Sequence, residues 1–306
     1  MNVLVTGGAG FIASHIVDRL IGLGHTVFVI DNLSTGRKAY VNPHATMLEA
    51  DIVKDDLSRV FAAARAEAVI HHAAQIDVQT SLKSPALDAE INIVGTIRLL
   101  EQCRDQGVRK FVYASSAAVY GAPEYAGIDE RHPIHPLSFY GISKHTPELY
   151  LEAFARLYGI DYTILRYANV YGYRQDSKGE AGVISIFVDK LLQGETPLIY
   201  GDGEQTRDFV YVKDIVEANL LALHHSGGAT FNISSNTQTT INTLLRLLCD
   251  LTERPFAPKY APERPGDVIH SRLDNSKAVA ELGWKPVYSL REGLKETCDQ
   301  ITRGTP

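Results

Sequence analysis

Apolar positions in this chain follow two rhythms in turn. Residues 2–6 form a short apolar run that Gly7, Gly8 and Gly10 break. Over 11–23, Phe11, Ile12, Ile16, Leu20 and Leu23 recur at helical spacing until Gly24-His25 stops them, and 27–30 is again continuously apolar. Strand, glycine turn, helix and strand in that order make the first unit of a doubly wound sheet. Further core strands are predicted at 68–71, 110–114 and 162–166, with helices over roughly 55–64, 85–106 and 140–158. Strands that are apolar throughout and alternate with helices predict an α/β fold with a parallel sheet covered on both faces.

The pattern changes after Arg166. Residues 171–182 are polar and contain glycine, which predicts a loop. Residues 184–192 have helical spacing, and 197–200 is a short strand before the turn Gly201-Asp202-Gly203. Residues 256–267 are rich in proline and charge. The expected division is a Rossmann domain over 1–172 and a smaller lobe, mainly 173–306, with 209–212 and 231–233 returning to the main domain. No internal repeat or low-complexity segment interrupts this.

Composition narrows the function classes. The chain of 306 residues is 45% apolar and 22% charged, as expected for a soluble protein with a full core. A net charge of −6 without a basic run argues against nucleic acid, so an anionic substrate must be met by local arginines. Cys103, Cys249 and Cys298 are far apart and form no CxxC, which predicts reduced thiols, no metal site and a cytoplasmic protein. Neither a signal peptide nor a membrane span is expected from the apolar runs.

The glycine turn sits between a strand and a helix, where the backbone can approach a pyrophosphate and the helix N-terminus offers N–H groups. Asp31 ends the next strand, placed to accept both ribose hydroxyls of an adenosine and to repel a 2′-phosphate. NAD is therefore the expected cofactor, although Arg37 and Lys38 leave NADP open. Further on, Tyr140 and Lys144 stand at a spacing that puts them on one helix face. The ammonium is expected to lower the phenol pKa so that Tyr140 can trade protons near neutrality. Ser115 and Ser116 directly follow a core strand, where parallel-sheet proteins place reactive groups. A YxxxK pair alone is common on helix surfaces. Joined to the glycine turn, Asp31 and the serines, it points to a dehydrogenase-type site.

At this point the chain resembles the extended short-chain dehydrogenase/reductase family, and within it the enzymes that invert C4 of UDP-hexoses such as UDP-glucose and UDP-galactose. The resemblance runs through TGGAGFIAS from Thr6, DNLSTG from Asp31, SSAAVYG from Ser115, YGISK from Tyr140, LRYANVYG from Leu165, GDGEQTRDFVYVKD from Gly201 and RPGD from Arg264. It implies Tyr140 as base and acid, Lys144 as the residue that holds the nicotinamide ribose, and Ser116 as a bridge between the sugar O4 and Tyr140. It implies NAD contacts at Gly7, Gly10, Phe11, Ile12, Asp31, Asn32, Ser34, Thr35, Gly36, Asp51 and Ile52. The same holds for His72, Ala73, Ala74, Gln75, Asn92, Ser115, Tyr140, Lys144 and Tyr167. For the UDP-sugar it implies Asn169, Arg207 and Arg264 at the diphosphate and Asp267 at the ribose. Leu198 and Tyr200 fall near the base, with Val183, Ile184 and Ser271 also lining the site. Two arginines suit a diphosphate because their forks bind anionic oxygens bidentately.

The resemblance also implies a homodimer built on the helices at 85–106 and 140–158, where Ile97, Leu100, Leu151 and Phe154 lie beyond a single apolar stripe. Three residues depart from the family pattern. Ala13 replaces a glycine, Tyr173 stands where proline is common, and Pro147 is expected to kink the catalytic helix by clashing with the Ser143 carbonyl. Ala117 and Ala118 occupy positions where related dehydratases and decarboxylases carry acidic groups, which disfavours both. A 4-epimerase of N-acetylhexosamines or uronic acids, a nucleotide-sugar reductase and a non-catalytic NAD sensor are the alternatives. The presence of Tyr140, Lys144 and both arginines counts against the last. Ser271 is small where a bulky tyrosine would wall off a C2 N-acetyl group, so a permissive pocket is expected.

Overall fold

A computed structural model of the chain describes residues 1–177, 182–263 and 269–304. In chain order its strands are β1 (Asn2–Thr6), β2 (Thr26–Asp31), β3 (Thr46–Glu49), β4 (Ala68–His71), β5 (Lys110–Ser116), β6 (Asp161–Tyr167) and β7 (Asn169–Tyr171). They continue with β8 (Leu198–Tyr200), β9 (Thr206–Arg207), β10 (Phe209–Tyr211), β11 (Ala229–Ile233), β12 (Thr239–Thr240) and β13 (Lys259–Ala261). Seven of them form one sheet in the order β11-β6-β5-β4-β1-β2-β3. Every pairing in it is parallel. The order reverses between β1 and β4, and at such a switch point the loops leave a crevice at the carboxyl edge.

Alternation along the strands builds two cores. Val3 and Val5 of β1 enter one layer and Leu4 the other. The first layer is covered by α1 (Phe11–Gly22), and the second by α2 (Leu57–Ala64). After α3 (Val78–Lys83) and α4 (Pro85–Ala89), α5 (Gly95–Gln106) and α6 (Phe139–Tyr158) complete the second layer. A third core joins α7 (Val183–Leu192) to α9 (Ile241–Thr252) and α10 (Leu290–Thr302), while α8 (Val212–His224) packs beside α1. Among the described residues no helix is long and apolar enough to cross a membrane. All three cysteines are buried and free.

Several expectations need correction. The helix at 85–106 runs without a gap as expected, but it contains a π turn at Glu90–Val94 between α4 and α5, where Asn92 is buried. Strand β11 does return to the main sheet beside β6, but β10 pairs with β7 in a separate ribbon. Strand β3 had no strong apolar run, since its residues are only half-buried at the sheet edge. Helix α6 runs unbroken through Pro147, which removes one backbone donor to Ser143 without ending the helix. Leu100, Leu151 and Phe154 face the second core, so they cover the sheet. Exposed apolar positions on these helices include Leu87, Val94, Ile142, Leu149 and Leu157. Tyr173 has a local role: its carbonyl accepts from His15 Nε2 at 3.1 Å, and the two rings meet edge-on at 4.4 Å.

Candidate active site

The glycine turn passes directly under the end of β4. Gly7 has φ +70°, and a Cβ there would lie 2.8 Å from the Ala73 nitrogen, so only glycine fits. Thr6 closes the same junction: its Oγ1 accepts from the His72 and Ala73 amides at 3.1 Å each and bonds His71 Nδ1 at 2.6 Å. Helix α1 starts just past Gly10, and no side chain caps it. Its first-turn N–H groups and positive dipole end are thus available to an anion. Asp31 is buried, with Oδ2 accepting from the Ala9 amide at 3.0 Å and Oδ1 from the Leu33 amide at 2.8 Å. Asn32 donates to Asp51 at 3.1 Å across the ends of β2 and β3, and Asn32 Oδ1 accepts from the Ser34 amide at 3.0 Å. An uncapped helix end beside an oriented carboxylate is a donor set that fits the pyrophosphate and ribose of NAD.

The next stretch of predicted cofactor residues forms a brace. Asn92 Nδ2 donates to Ser143 Oγ and to the Gln75 carbonyl, each at 2.9 Å, while its Oδ1 accepts from the Gln75 amide at 2.8 Å. Gln75 Nε2 donates to Asp88 at 2.7 Å. His72 lies against Tyr167, with Nε2 and the hydroxyl 3.1 Å apart, and burial pushes its pKa down to about 3. His72 is therefore neutral at physiological pH.

Strand β5 continues two residues past the expected end, so Ser115 and Ser116 are its last rungs, opposite Arg166 and Tyr167. Ser116 Oγ accepts from the Ala118 amide at 3.1 Å and so caps the short turn Ala117–Val119. Ser138 caps α6 by accepting from the Gly141 amide at 3.1 Å. A Cβ on Gly141 would stand 2.6 Å from the Ala118 carbonyl oxygen. That contact draws the first turn of α6 against the turn after Ser116 and brings the Tyr140 phenol beside Ser116. Lys144 follows one turn later, buried, with its Nζ 4.9 Å from the centre of the Tyr113 ring.

Electrostatics correct one expectation here. Burial pushes the Tyr140 phenol above its usual value, the neighbouring Ser116 hydroxyl pulls it partly back, and the Asp88 carboxylate pushes it up again. In the protein alone, burial outweighs the lowering expected from Lys144. Burial also pulls Lys144 down to about 8, against the carboxylates of Glu148 and Asp88, which favour its charged form.

On the other side of the cleft, Asn169, Val183 and Ile184 line one cavity of about 200 Å³ with Gln175 and Phe209. Asn169 Nδ2 donates to the Asp208 carbonyl at 3.1 Å. Leu198 and Tyr200 lie on β8, which pairs with β13. Arg207 Nη1 donates to the Ile269 carbonyl at 3.3 Å, and Thr206 bridges to His270, so Arg207 and Ser271 approach one another. Arg264 and Asp267 lie outside the described residues. A larger cavity of about 470 Å³, lined by His15, Tyr173, Lys213 and Tyr288 among others, contains no predicted site residue. Arg19 pairs with Glu217 in the same wall, and Lys213 pairs with Glu296. Size is therefore a poor guide to the chemistry in this molecule. Sequence reasoning missed Glu148, Arg166 and Asp88, all buried. The available signal was a charged residue on a helix or strand face that should be apolar.

A sequence profile described as the NAD dependent epimerase/dehydratase family matches residues 3–234. A putative UDP-glucose 4-epimerase of Methanocaldococcus jannaschii is 50% identical over 294 residues, 96% of each chain. The solved UDP-glucose 4-epimerase of Thermotoga maritima, with UDP-glucose, is similar at a TM-score of 0.97 and 48% identity, covering 100% of both chains. A UDP-N-acetylglucosamine 4-epimerase from Methanobrevibacter ruminantium, in complex with UDP-N-acetylmuramic acid, reaches 0.95 at 38% identity and covers 99% of both.

Proposed function

This chain belongs to the NAD dependent epimerase/dehydratase family, and on that premise we propose that it inverts C4 of a UDP-hexose, interconverting UDP-glucose and UDP-galactose. The observation that carries the reading is the placement of Tyr140 beside Ser116 and buried Lys144, at a strand end where Ala117 and Ala118 supply no acid for expelling water. Tyr140 takes the proton from the 4-hydroxyl through Ser116 and returns it to O4 after the 4-keto sugar has turned over, so that C4 is reduced on its opposite face. When bound, NAD supplies a hydride acceptor that gives the hydride back, and its positive ring offsets the burial that holds the Tyr140 phenol high. Lys144 holds the ribose and keeps Tyr140 in place. Arg207, Arg264, Asn169 and Asp267 hold the diphosphate and ribose while the sugar turns over.

In this reading residues 1–172 with β11 carry NAD, and 173–306 mainly carry the UDP-sugar. The enzyme works in the cytoplasm as a homodimer. Ile142, Leu149 and Leu157 make an exposed stripe on α6, with Leu87 and Val94 exposed on the neighbouring helical segment. A second copy of this chain would bury both groups, as one intermolecular helix bundle. Sedimentation at micromolar concentration is expected to give a dimer, and a monomer would remove that part of the proposal.

The deciding experiment incubates the purified protein with UDP-galactose and no added NAD, followed by chromatography of the UDP-sugars. UDP-glucose is expected to appear. Net reduction that depends on added NADPH would make the protein a reductase instead.

The small Ser271 favours a pocket that also admits an N-acetyl group at C2. The similarity to a UDP-N-acetylglucosamine 4-epimerase supports this second substrate class. Ser271→Tyr is expected to cut kcat/KM for UDP-N-acetylgalactosamine by roughly 10²-fold and to spare UDP-galactose, since the sugar must rotate past that wall. An equal effect on both substrates would sink the idea.

A further inference from the structure

Glu148 lies one turn beyond Lys144 on α6, and the residue is only 2% exposed. Four hydrogen bonds converge on its carboxylate. Oε1 accepts from Ser115 Oγ at 2.6 Å and from Arg166 Nε at 3.0 Å. Oε2 accepts from Arg166 Nη2 at 2.5 Å and from His145 Nδ1 at 3.0 Å. Arg166 Nη1 continues to the Tyr120 hydroxyl at 2.9 Å, which donates to Asn232 at 2.7 Å. Burial alone would push Glu148 up, but the bonds from His145, Arg166 and Ser115 more than reverse it and keep the carboxyl ionised.

The placement of this cluster is specific. Ser115 immediately precedes Ser116 on β5. Tyr120 ends the turn that Ser116 begins. Glu148 stands on the same helix as Tyr140 and Lys144. Among the described residues no side-chain hydrogen bond runs from Glu148 or Arg166 to Tyr140 or Lys144, yet the pair joins the strand end carrying Ser116 to the helix carrying the other two. We propose that Glu148, with Arg166, is a positioning residue that locks the end of β5 against α6 and thereby sets the approach of Tyr140 to Ser116. The effect on rate rests on the epimerase reading; the effect on geometry does not.

A purely stabilising role explains the cluster poorly. Two ions taken out of water repay their desolvation only with good geometry, and apolar replacements of such pairs are often equally stable. Direction is what the bonds add. The Ser115 hydroxyl and the Arg166 fork fix β5 and β6 to one carboxylate, so α6 cannot slide relative to Ser116 without breaking them. Catalysis is sensitive to such sliding: a misplacement on the order of 1 Å is enough to cost about 10²-fold in rate.

Removing one partner alone would leave a buried charge and risk unfolding, so the pair is removed together as Glu148→Gln with Arg166→Met. Ser115→Ala, which deletes a single hydroxyl, is tested beside it. Two readouts are taken. The first is kcat and KM for UDP-galactose, with UDP affinity by calorimetry. The second is the ¹³Cζ resonance of Tyr140 in tyrosine-labelled protein, identified by its absence in Tyr140→Phe. Folded variants are expected to keep KM and UDP affinity, to lose kcat by roughly 10²-fold in the double variant and less in Ser115→Ala, and to shift the Tyr140 resonance in the direction given by Ser116→Ala. A folded double variant with wild-type kcat and an unmoved resonance would reduce the cluster to a structural role and overturn the proposal. Should the double variant not fold, Ser115→Ala decides by the same readings. If the wild type itself fails to convert UDP-galactose, the epimerase reading falls, and the resonance still decides whether Glu148 positions Tyr140.

Discussion

Replacing Tyr140 with phenylalanine is expected to slow the interconversion of UDP-galactose and UDP-glucose by about 10²–10⁴-fold, the usual contribution of a placed acid–base group. The ring stays where it is, because the first turn of α6 is fixed by the Ser138 cap and by the close contact of Gly141 with Ala118. Ser116 keeps its bond from the Ala118 amide, so the turn that presents it survives the loss of the phenol. Arg207 and Asn169 lie across the cleft on other strands. UDP affinity should therefore remain near wild type while kcat collapses. That split separates loss of the base from loss of the fold. Chromatographic turnover and calorimetry with UDP measure the two halves. Wild-type turnover in this variant would exclude Tyr140 as the base.

The sequence made the sheet and the proposed reacting trio legible, and physics explains which parts it left dark. Strands β1, β4, β5 and β6 lie inside the sheet, so both faces are apolar and the runs stand out. Strand β3 sits at the edge, half-buried and without a run to notice. The motif positions of Ser116, Tyr140 and Lys144 could be read because their spacing is local. The Glu148–Arg166 pair was invisible because its partners are 18 residues apart and meet only through packing. The same limit applies to the dimer stripe. Periodicity showed that α6 has more apolar residues than one face needs, but could not say that Leu151 and Phe154 point inward while Leu149 and Leu157 point out. Buried Asn92 lies in a π turn, which no propensity in 90–94 announces. The tuning of Tyr140 was misjudged for a related reason: the helix register gave the charge on Lys144 but not the burial that outweighs it.

The wild-type protein is expected to carry NAD stoichiometrically through purification, and Asp31→Ala is expected to lose most of it. In the proposed NAD site the carboxylate would accept both adenosine ribose hydroxyls, and a hydrogen bond to a charged group contributes about 1.5–3 kcal/mol. Losing two such bonds weakens binding by roughly 10²–10⁴-fold. Asp31 also accepts from the Ala9 and Leu33 amides, so alanine loosens the glycine turn that approaches the pyrophosphate. Asp31→Asn, which keeps the shape and removes the charge, should fall between wild type and alanine. The change should not create an NADP enzyme. Repulsion of a 2′-phosphate would be gone, but the Arg37 guanidinium is directed to Asp176 at 3.8 Å and lies 5.6 Å from the Tyr40 ring centre. The Arg37 guanidinium thus already has partners of its own. Gel filtration followed by mass analysis of the released nucleotide gives the retained fraction, and activity restored by added NAD but not NADP completes the test. Full retention of NAD by Asp31→Ala would show that the glycine turn and helix end hold the cofactor without the ribose carboxylate.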